Sequence, residues 1–394
     1  MSWECVALQE VCEVVGGATP KTGEPEYWSG DIPWATPADL SNLKGAYISE
    51  TPRMLTQEGL RSCAAKVLPA YSVLLSSRAP IGHVAINSVP MATNQGFKSL
   101  IPDRSRLDEK YLYWWLVSNK AALQRLGVGA TFKEISKAIV SRVVIPLPPL
   151  PEQRRIASIL DEARAVGRLA DKQLESLSEL RDALIESAEA SSDSIHRTVS
   201  SIIDRIDSGK SPVCEDREAR EGEWGVLKLG AISSGTYRTD GNTKALREDT
   251  VPLTHLEVKA GDVLLSRKNT PELVGASAYV RHTRSRLLLP DLIFRLVVNA
   301  DAGVIPAYLQ AMLSAPRTRA KLRKVAGGSA ASMSNISKAR LSLVTVPVAS
   351  LRVQEELVSS LQQVVELTDA VMARKIMSEQ LASALQTRAF KGEL

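Results

Sequence analysis

Seven short polar and basic stretches carry the side chains of this 394-residue sequence best suited to hydrogen-bond a partner in a fixed register. The first half holds residues 16–22 (GGATPKT), 76–83 (SSRAPIGH), 93–98 (TNQGFK) and 127–137 (GVGATFKEISK). The second half holds 208–211 (SGKS), 266–272 (SRKNTPE) and 327–338. Arginine presents a planar fork that donates two parallel bonds to guanine in a major groove, and asparagine and glutamine can do the same for adenine. Lysine, serine, threonine and backbone amides reach phosphates. Arg78, Asn94, Gln95, Arg267 and Asn269 are therefore the candidate base readers. Lys133 and Lys210 are candidate phosphate contacts, with Thr19, Lys21, Lys98, Ser211, Lys268 and Lys338 as further candidate contacts to DNA. A lone loop arginine is as readily a solvated charge or half of a local ion pair, so the case rests on the set.

Chemistry beyond binding finds little support. An adenine methyltransferase needs a glycine-containing cofactor loop and an Asn/Asp-Pro-Pro-aromatic motif. Here Pro148-Pro149 lies between Leu147 and Leu150. SGKS at 208–211 has Asp204 where a nucleotide-binding phosphate loop requires its upstream glycine. Glu215, Asp216 and Glu218 are interleaved with Arg217 and Arg220, as in a solvated charge run and unlike a divalent-metal cluster. The cysteines (Cys5, Cys12, Cys63, Cys214) and histidines (His83, His196, His255, His282) lack metal-ligand spacing. The expectation is a chain without catalytic residues, metal or cofactor of its own.

The elements that position these loops come as a repeat. Ile135-Ser136-Lys137-Ala138 leads to Pro146, Leu150 and Gln153, and Ile336-Ser337-Lys338-Ala339 leads at constant offset to Pro347, Leu351 and Gln354. Upstream, residues 73–76 (VLLS) match 263–266 (VLLS), Arg78 and Arg267 follow, and Phe97 answers Phe294. A period this long is a duplicated domain. Strands are expected at 84–86, 140–145, 263–265, 292–298 and 341–346, and helices at 109–125 and at 306–325 with a break at Pro316. Each unit is thus α+β, with Trp114-Trp115 as core.

After Pro151 a proline-free run carries Ile156, Ile159, Ala163, Val166, Ala170, Leu177, Leu180 and Leu184 at alternating three- and four-residue steps, with polar Gln173 the only interruption. That is a coiled-coil seam. A second run offers Leu357, Leu361, Val364, Val371, Leu381 and Leu385, with Thr368, Lys375 and Ser378 nearby. With a globular unit between them, the two helices, each roughly 55 Å long, can pair antiparallel. The expected organisation is two similar globular domains, 1–151 and 193–350, separated by long helices at 152–192 and 351–394 that pair as an antiparallel coiled coil.

Charge follows this division. Basic against acidic residues number 15 to 13 over 1–151, 6 to 9 over 152–192, 23 to 16 over 193–350 and 5 to 6 over 351–394. The positive excess falls on the globular units, where a polyanion would bind. Apolar runs are too short for a membrane span, and the N-terminus lacks the pattern of a secretory signal. A cytoplasmic location is expected.

Residues 3–40 (WECVALQEVCEVVGGATPKT…PEYWSGDIPWATPADL), 143–161 (VVIPLPPLPEQRRIASILD) and 389–394 (AFKGEL) resemble type I restriction-modification specificity subunits. Residues 207–213, 223–229, 262–273 and 289–296 resemble one type of target-recognition domain in that family. The resemblance implies two target-recognition domains that each read half of a split DNA site, with the helices fixing the unread spacing. It further implies two methyltransferase subunits and motor-nuclease subunits as partners, with S-adenosylmethionine, ATP and Mg confined to them. Residues 347–357 (PVASLRVQEEL) depart from the proline-rich start of the first helix. The alternatives are a structural adaptor that binds protein instead of DNA, and a concealed nuclease or methyltransferase activity.

Overall fold

A computed structural model describes residues 3–43, 45–78, 80–129, 133–327 and 333–394. Parts of three candidate loops, at position 79, at 130–132 and at 328–332, therefore lie outside the described residues. The chain forms two compact units, one of residues 1–171 with 373–394 and one of residues 172–372.

In the first unit β1 (Cys12–Gly16), β2 (Tyr47–Ile48), β3 (Val73–Leu75), β4 (Val84–Asn87) and β5 (Lys98–Pro102) form a sheet in the order β1-β5-β3-β4-β2. All pairings are antiparallel except β4 with β2. In the second unit β6 (Ile203–Ser208), β7 (Val263–Ser266), β8 (Ser277–Tyr279) and β9 (Ile293–Val298) form an antiparallel sheet in the order β6-β9-β7-β8. The order β1-β5-β3-β4 recurs as β6-β9-β7-β8, so the repeat legible in sequence is a repeat of topology. The helices Glu109–Ser118 and Lys120–Arg125, and their counterparts Pro306–Ser314 and Pro316–Val325, supply apolar faces to the core of each unit. Trp114 and Trp115 are buried, and Trp114 Nε1 donates to Asp161 at 2.9 Å.

Two expected strands are instead helices followed by strands. Lys137–Arg142 and Lys338–Ser342 are helical, and pairing resumes only at Val144–Pro146 and Thr345–Val348. The reason is local: Ser136 and Ser337 cap these helices, their hydroxyls accepting from the amides of Ile139 and Arg340 at 3.3 Å.

The long helices run Leu150–Glu189 and Leu351–Ala389, 40 and 39 residues. Within the first unit Asp171 accepts from Lys375 at 2.5 Å and Arg155 donates to the Leu394 carbonyl at 3.1 Å, so the two helices run in opposite directions there. Within the second unit Ile185 and Ala188 share an apolar cluster with Leu357 and Leu361. The seam is phased differently from the expected one. Val166 and Leu180 are exposed, while Leu160 and Ala170 are buried and Gly167, Leu174 and Arg181 are half-buried. The sequence pattern shares Ile156, Ala163, Ala170, Leu177 and Leu184 with this seam and misplaces the other heptad position by one residue. On the second helix Leu381 is 59% exposed, and Thr368, Lys375, Ser378 and Ala382 occupy the stripe instead. Small and polar residues at seam positions concealed the true phase from a reading that follows large apolar side chains.

Gln153 and Gln354 perform one task at the start of each helix. Gln153 Oε1 accepts from the Asp108 amide, and its Nε2 donates to the carbonyls of Arg106 and Pro148, all at 2.8 Å. Gln354 accepts from Ile305 at 2.9 Å and donates to Gly303 and Ala349 at 3.0 and 2.9 Å. Both are buried. Gln153→Leu strands one amide and two carbonyls, and is expected to lower stability by about 2–3 kcal/mol. An unchanged urea midpoint would refute that role. Among the described residues no helix is long and apolar enough to cross a membrane.

Candidate nucleic-acid interface

In the first unit four loops meet at one end of three adjacent strands. β1 ends at Gly16 opposite Lys98 of β5, and Ser76, just past β3, pairs with Phe97. Beyond the strands, Ala18 N donates to Thr93 O at 3.0 Å, Ser77 N to Gly96 O at 2.7 Å and Ile135 N to Ser77 O at 2.9 Å. The second unit gathers its loops in the same way. Lys210 N donates to Leu289 O at 3.2 Å, Arg267 N to Leu292 O at 3.0 Å and Ile336 N to Arg267 O at 2.7 Å.

The strand registers make the two assemblies equivalent residue by residue. Ser76 opposite Phe97 corresponds to Ser266 opposite Ile293, and Gly16 opposite Lys98 corresponds to Ser208 opposite Phe294. Phe97 therefore answers Ile293, one residue from the sequence match with Phe294. Arg78, bridged to Glu134, answers Lys268, bridged to Asn335, while Arg267 answers Ser77. The sequence pairing of Arg78 with Arg267 was off by one because two consecutive basic residues follow Ser266. SGKS is thereby explained without a nucleotide: its Gly209 is the counterpart of Gly17. A Cβ on Gly17 would collide with the Asn94 carbonyl oxygen, and one on Gly209 with that of Leu289.

The side chains differ in how freely they are presented. Lys21, Lys133, Lys210 and Lys268 are exposed, with no side-chain hydrogen bond or ion pair among the described residues. Gln95 is exposed and accepts from the Thr19 hydroxyl; Ser211 likewise donates to Asp291. Arg78 is a little over one-third exposed and stands 4.0 Å from Glu134. Asn94 spends its Oδ1 on the Gly96 amide at 2.9 Å, which shapes the turn presenting Gln95.

Three expected contacts make bonds within their own unit. Lys98 is 14% exposed and its ammonium is 3.0 Å from Glu134, so it braces the 127–137 loop. Asn269 is 7% exposed; its amide donates to Ser266 at 3.3 Å and its Oδ1 accepts from the Thr270 amide at 2.9 Å. Lys338 donates to the Ile206 carbonyl at 2.6 Å. Lys98 and Asn269, held inside the unit, would have to break these bonds to reach DNA, whereas Lys338 is exposed and its ammonium keeps two further donors. Arg267 lies with its guanidinium 5.0 Å from the Phe294 ring and its Nε buried without a hydrogen-bond partner among the described residues.

Beneath the second assembly Arg295 anchors β9 to β6 and β7. Its guanidinium donates twice to Asp207, at 3.0 and 2.9 Å, and reaches Asp262 at 3.3 Å and the carbonyls of Glu257 and His255 at 2.9 and 3.0 Å. The 266–272 loop is held from behind by Arg319, which donates to Val274 and Glu272 carbonyls at 2.7 and 3.0 Å. Burial, with Arg323 beside it, pushes Arg319 down to about 10, which leaves it charged at neutral pH. Among the described residues no group of three His, Cys, Asp or Glu side chains is placed to hold a metal.

Comparison with known proteins places this geometry. Residues 1–177 match the family model described as the type I restriction modification DNA specificity domain. The type I restriction enzyme MjaIX specificity subunit of Methanocaldococcus jannaschii is 41% identical over 160 residues, 40% of this chain and 37% of that protein. The EcoEI specificity subunit of Escherichia coli is 31% identical over 191 residues, 48% of this chain and 31% of that protein. The chain thus spans about a third of the length of these relatives. The crystal structure of a type I restriction-modification system S subunit from M. genitalium superposes with a TM-score of 0.63 at 14% identity, over 99% of this chain and 96% of that one. That likeness is one of fold.

Proposed function

Since residues 1–177 match the family model of the type I restriction modification DNA specificity domain and the whole chain has the fold of an S subunit, we propose that it selects the DNA sequence for a type I restriction-modification complex. Each unit reads one half of a bipartite, asymmetric site with its converged loops. The chain itself carries no catalysis: methyltransferase subunits modify adenines, and motor-nuclease subunits cleave DNA that lacks the modification. In this reading S-adenosylmethionine, ATP and Mg are bound by those partners.

The observation that carries the proposal is the equivalence of the two loop assemblies, from Gly17 and Gly209 through Arg78 and Lys268, with different side chains on a common frame. A shared frame with divergent tips is what two unlike half-sites require, because the scaffold fixes position while the tips carry the sequence information.

Sequencing the methylome of the native host with and without this gene tests it. Loss of one split adenine-methylation motif is the expected outcome; an unchanged methylome in a host whose methyltransferase subunit is active would overturn it. At residue level, Arg78→Ala is expected to relax discrimination in one half-site by about 1–3 kcal/mol through loss of a bidentate contact. Lys268→Ala should weaken binding on all sequences alike and reduce the salt slope by about 1. Binding titrations on mismatched duplexes at several salt concentrations separate the two effects.

A further inference from the structure

We infer that Asp291 is the base-reading counterpart of Gln95, and that it accepts a hydrogen bond from an exocyclic amino group in the major groove, cytosine N4 or adenine N6. The inference rests on the DNA-reading role proposed above and adds a residue that neither the sequence pattern nor the family match singles out.

Four observations carry it. The strand registers set Phe97 against Ile293, so that counting back two residues sets Gln95 against Asp291. Each of the two is exposed at the tip of its loop and is held by a hydroxyl from the loop after the first strand of its sheet, Thr19 for Gln95 and Ser211 for Asp291. Asp291 also donates its amide to Ser211 Oγ at 3.3 Å, which ties the two loops into one surface. The Ser211 bond occupies Oδ1, and Oδ2 has no hydrogen-bond partner among the described residues.

The chemistry then follows from the side-chain type. A carboxylate only accepts, and the major-groove edges of cytosine and adenine each offer an amino donor. Guanine O6 and thymine O4 would face it acceptor to acceptor. An exposed acid on a phosphate-binding surface is costly unless cations flank it. Lys210 adjoins Ser211 in sequence, and Lys268 occupies the place of Arg78 on the neighbouring loop. Gln95, with donor and acceptor together, suits adenine at the matching place in the other half-site. The two units would thus discriminate different bases through one position of a common frame.

The test compares the wild-type complex with complexes carrying Asp291→Asn or Gln95→Glu, each with the full chain, by methylome sequencing. Wild type is expected to show a split motif with cytosine or adenine at one fixed position of the second half-site, and which of the two it is reads directly from the motif. Asp291→Asn retains the acceptor for Ser211 but adds a donor. At that position alone it should lower discrimination against guanine and thymine about tenfold or more, leaving the first half-site as in wild type. Gln95→Glu should do the converse. An unaltered motif in Asp291→Asn, or equal change in both half-sites, overturns the inference while leaving the DNA-reading role in place. A wild-type chain that confers no split motif overturns both. Should Asp291→Asn abolish methylation, titration of the purified complex with duplexes varied one base pair at a time decides. Discrimination unaltered at every pair of the second half-site overturns the inference.

Discussion

Arg295→Met is expected to cost about 3–5 kcal/mol of stability, the usual consequence of removing one partner from a buried charge network, and to be felt first in the second unit. The guanidinium, with 9% of its side chain exposed, is the common donor to Asp207, Asp262 and two carbonyls that otherwise lie at the junction of three strands. Burial pushes the Asp262 carboxyl above the usual range, with the Lys259 amide and Arg295 opposing that rise; the same burial acts on Asp207, but the hydrogen bonds and charge of Arg295 and then Arg205 hold it below. The sign for Asp207 is that its contribution is present above the ordinary aspartate range and lost as pH falls through its lowered value. The methionine variant fits the volume but leaves Asp262 without its cation and Asp207 with Arg205 alone. Arg295→Lys should recover part of the loss only, because an ammonium cannot fork to Asp207 and still reach His255 and Glu257. Urea unfolding followed by hydrogen exchange in β6, β7 and β9 measures it. A change under about 1 kcal/mol would show that the network adds little beyond geometry.

Gly209→Ala and Gly17→Ala are expected to have the next largest effect, and a more selective one. Neither glycine is needed for its backbone angles. Each is needed because the turn of the neighbouring loop passes over it with a carbonyl oxygen where a Cβ would stand. A methyl group must push backbone, not a side-chain end, so a loss of about 1–3 kcal/mol is expected. The displaced segment is 93–96 in one unit and 289–292 in the other, which carry Gln95 and Asp291. Each variant should therefore degrade discrimination in its own half-site and spare the other. Methylomes of the two single variants check this, and identical defects in both half-sites from either change would reject it.

The sequence by itself determined the duplication, the long helices and the composition of the loops. These depend on local signals: matched strings such as VLLS and ISKA, proline-free heptads, and polar residues between apolar runs. Gln153 and Gln354, too, are a matched pair in the sequence itself. Local reading failed where two alternatives differ by one residue. The seam shifted because Gly167 and Arg181 occupy it on the first helix without looking apolar, and Ala382 stands beside the larger Leu381 on the second; Arg267 pairs with Arg78 in the sequence because Lys268 stands next to it. In both cases the register is set by backbone hydrogen bonds and helix pairing across the fold, which a string of residues does not display.

Tertiary structure alone decided which polar side chains remain available. Lys98, Asn269 and Lys338 have the right chemistry for DNA, yet each is bound to a group far off or unremarked in sequence: Glu134, the Ser266 hydroxyl and the Ile206 carbonyl. Asp291 lies outside the seven candidate stretches, just before an expected strand, although its bond to Ser211 mirrors that of Gln95 to Thr19. Composition says which bonds a side chain is able to make. Only the fold, by bringing donors and acceptors within hydrogen-bonding distance of it or leaving it facing water, says which bonds are already made.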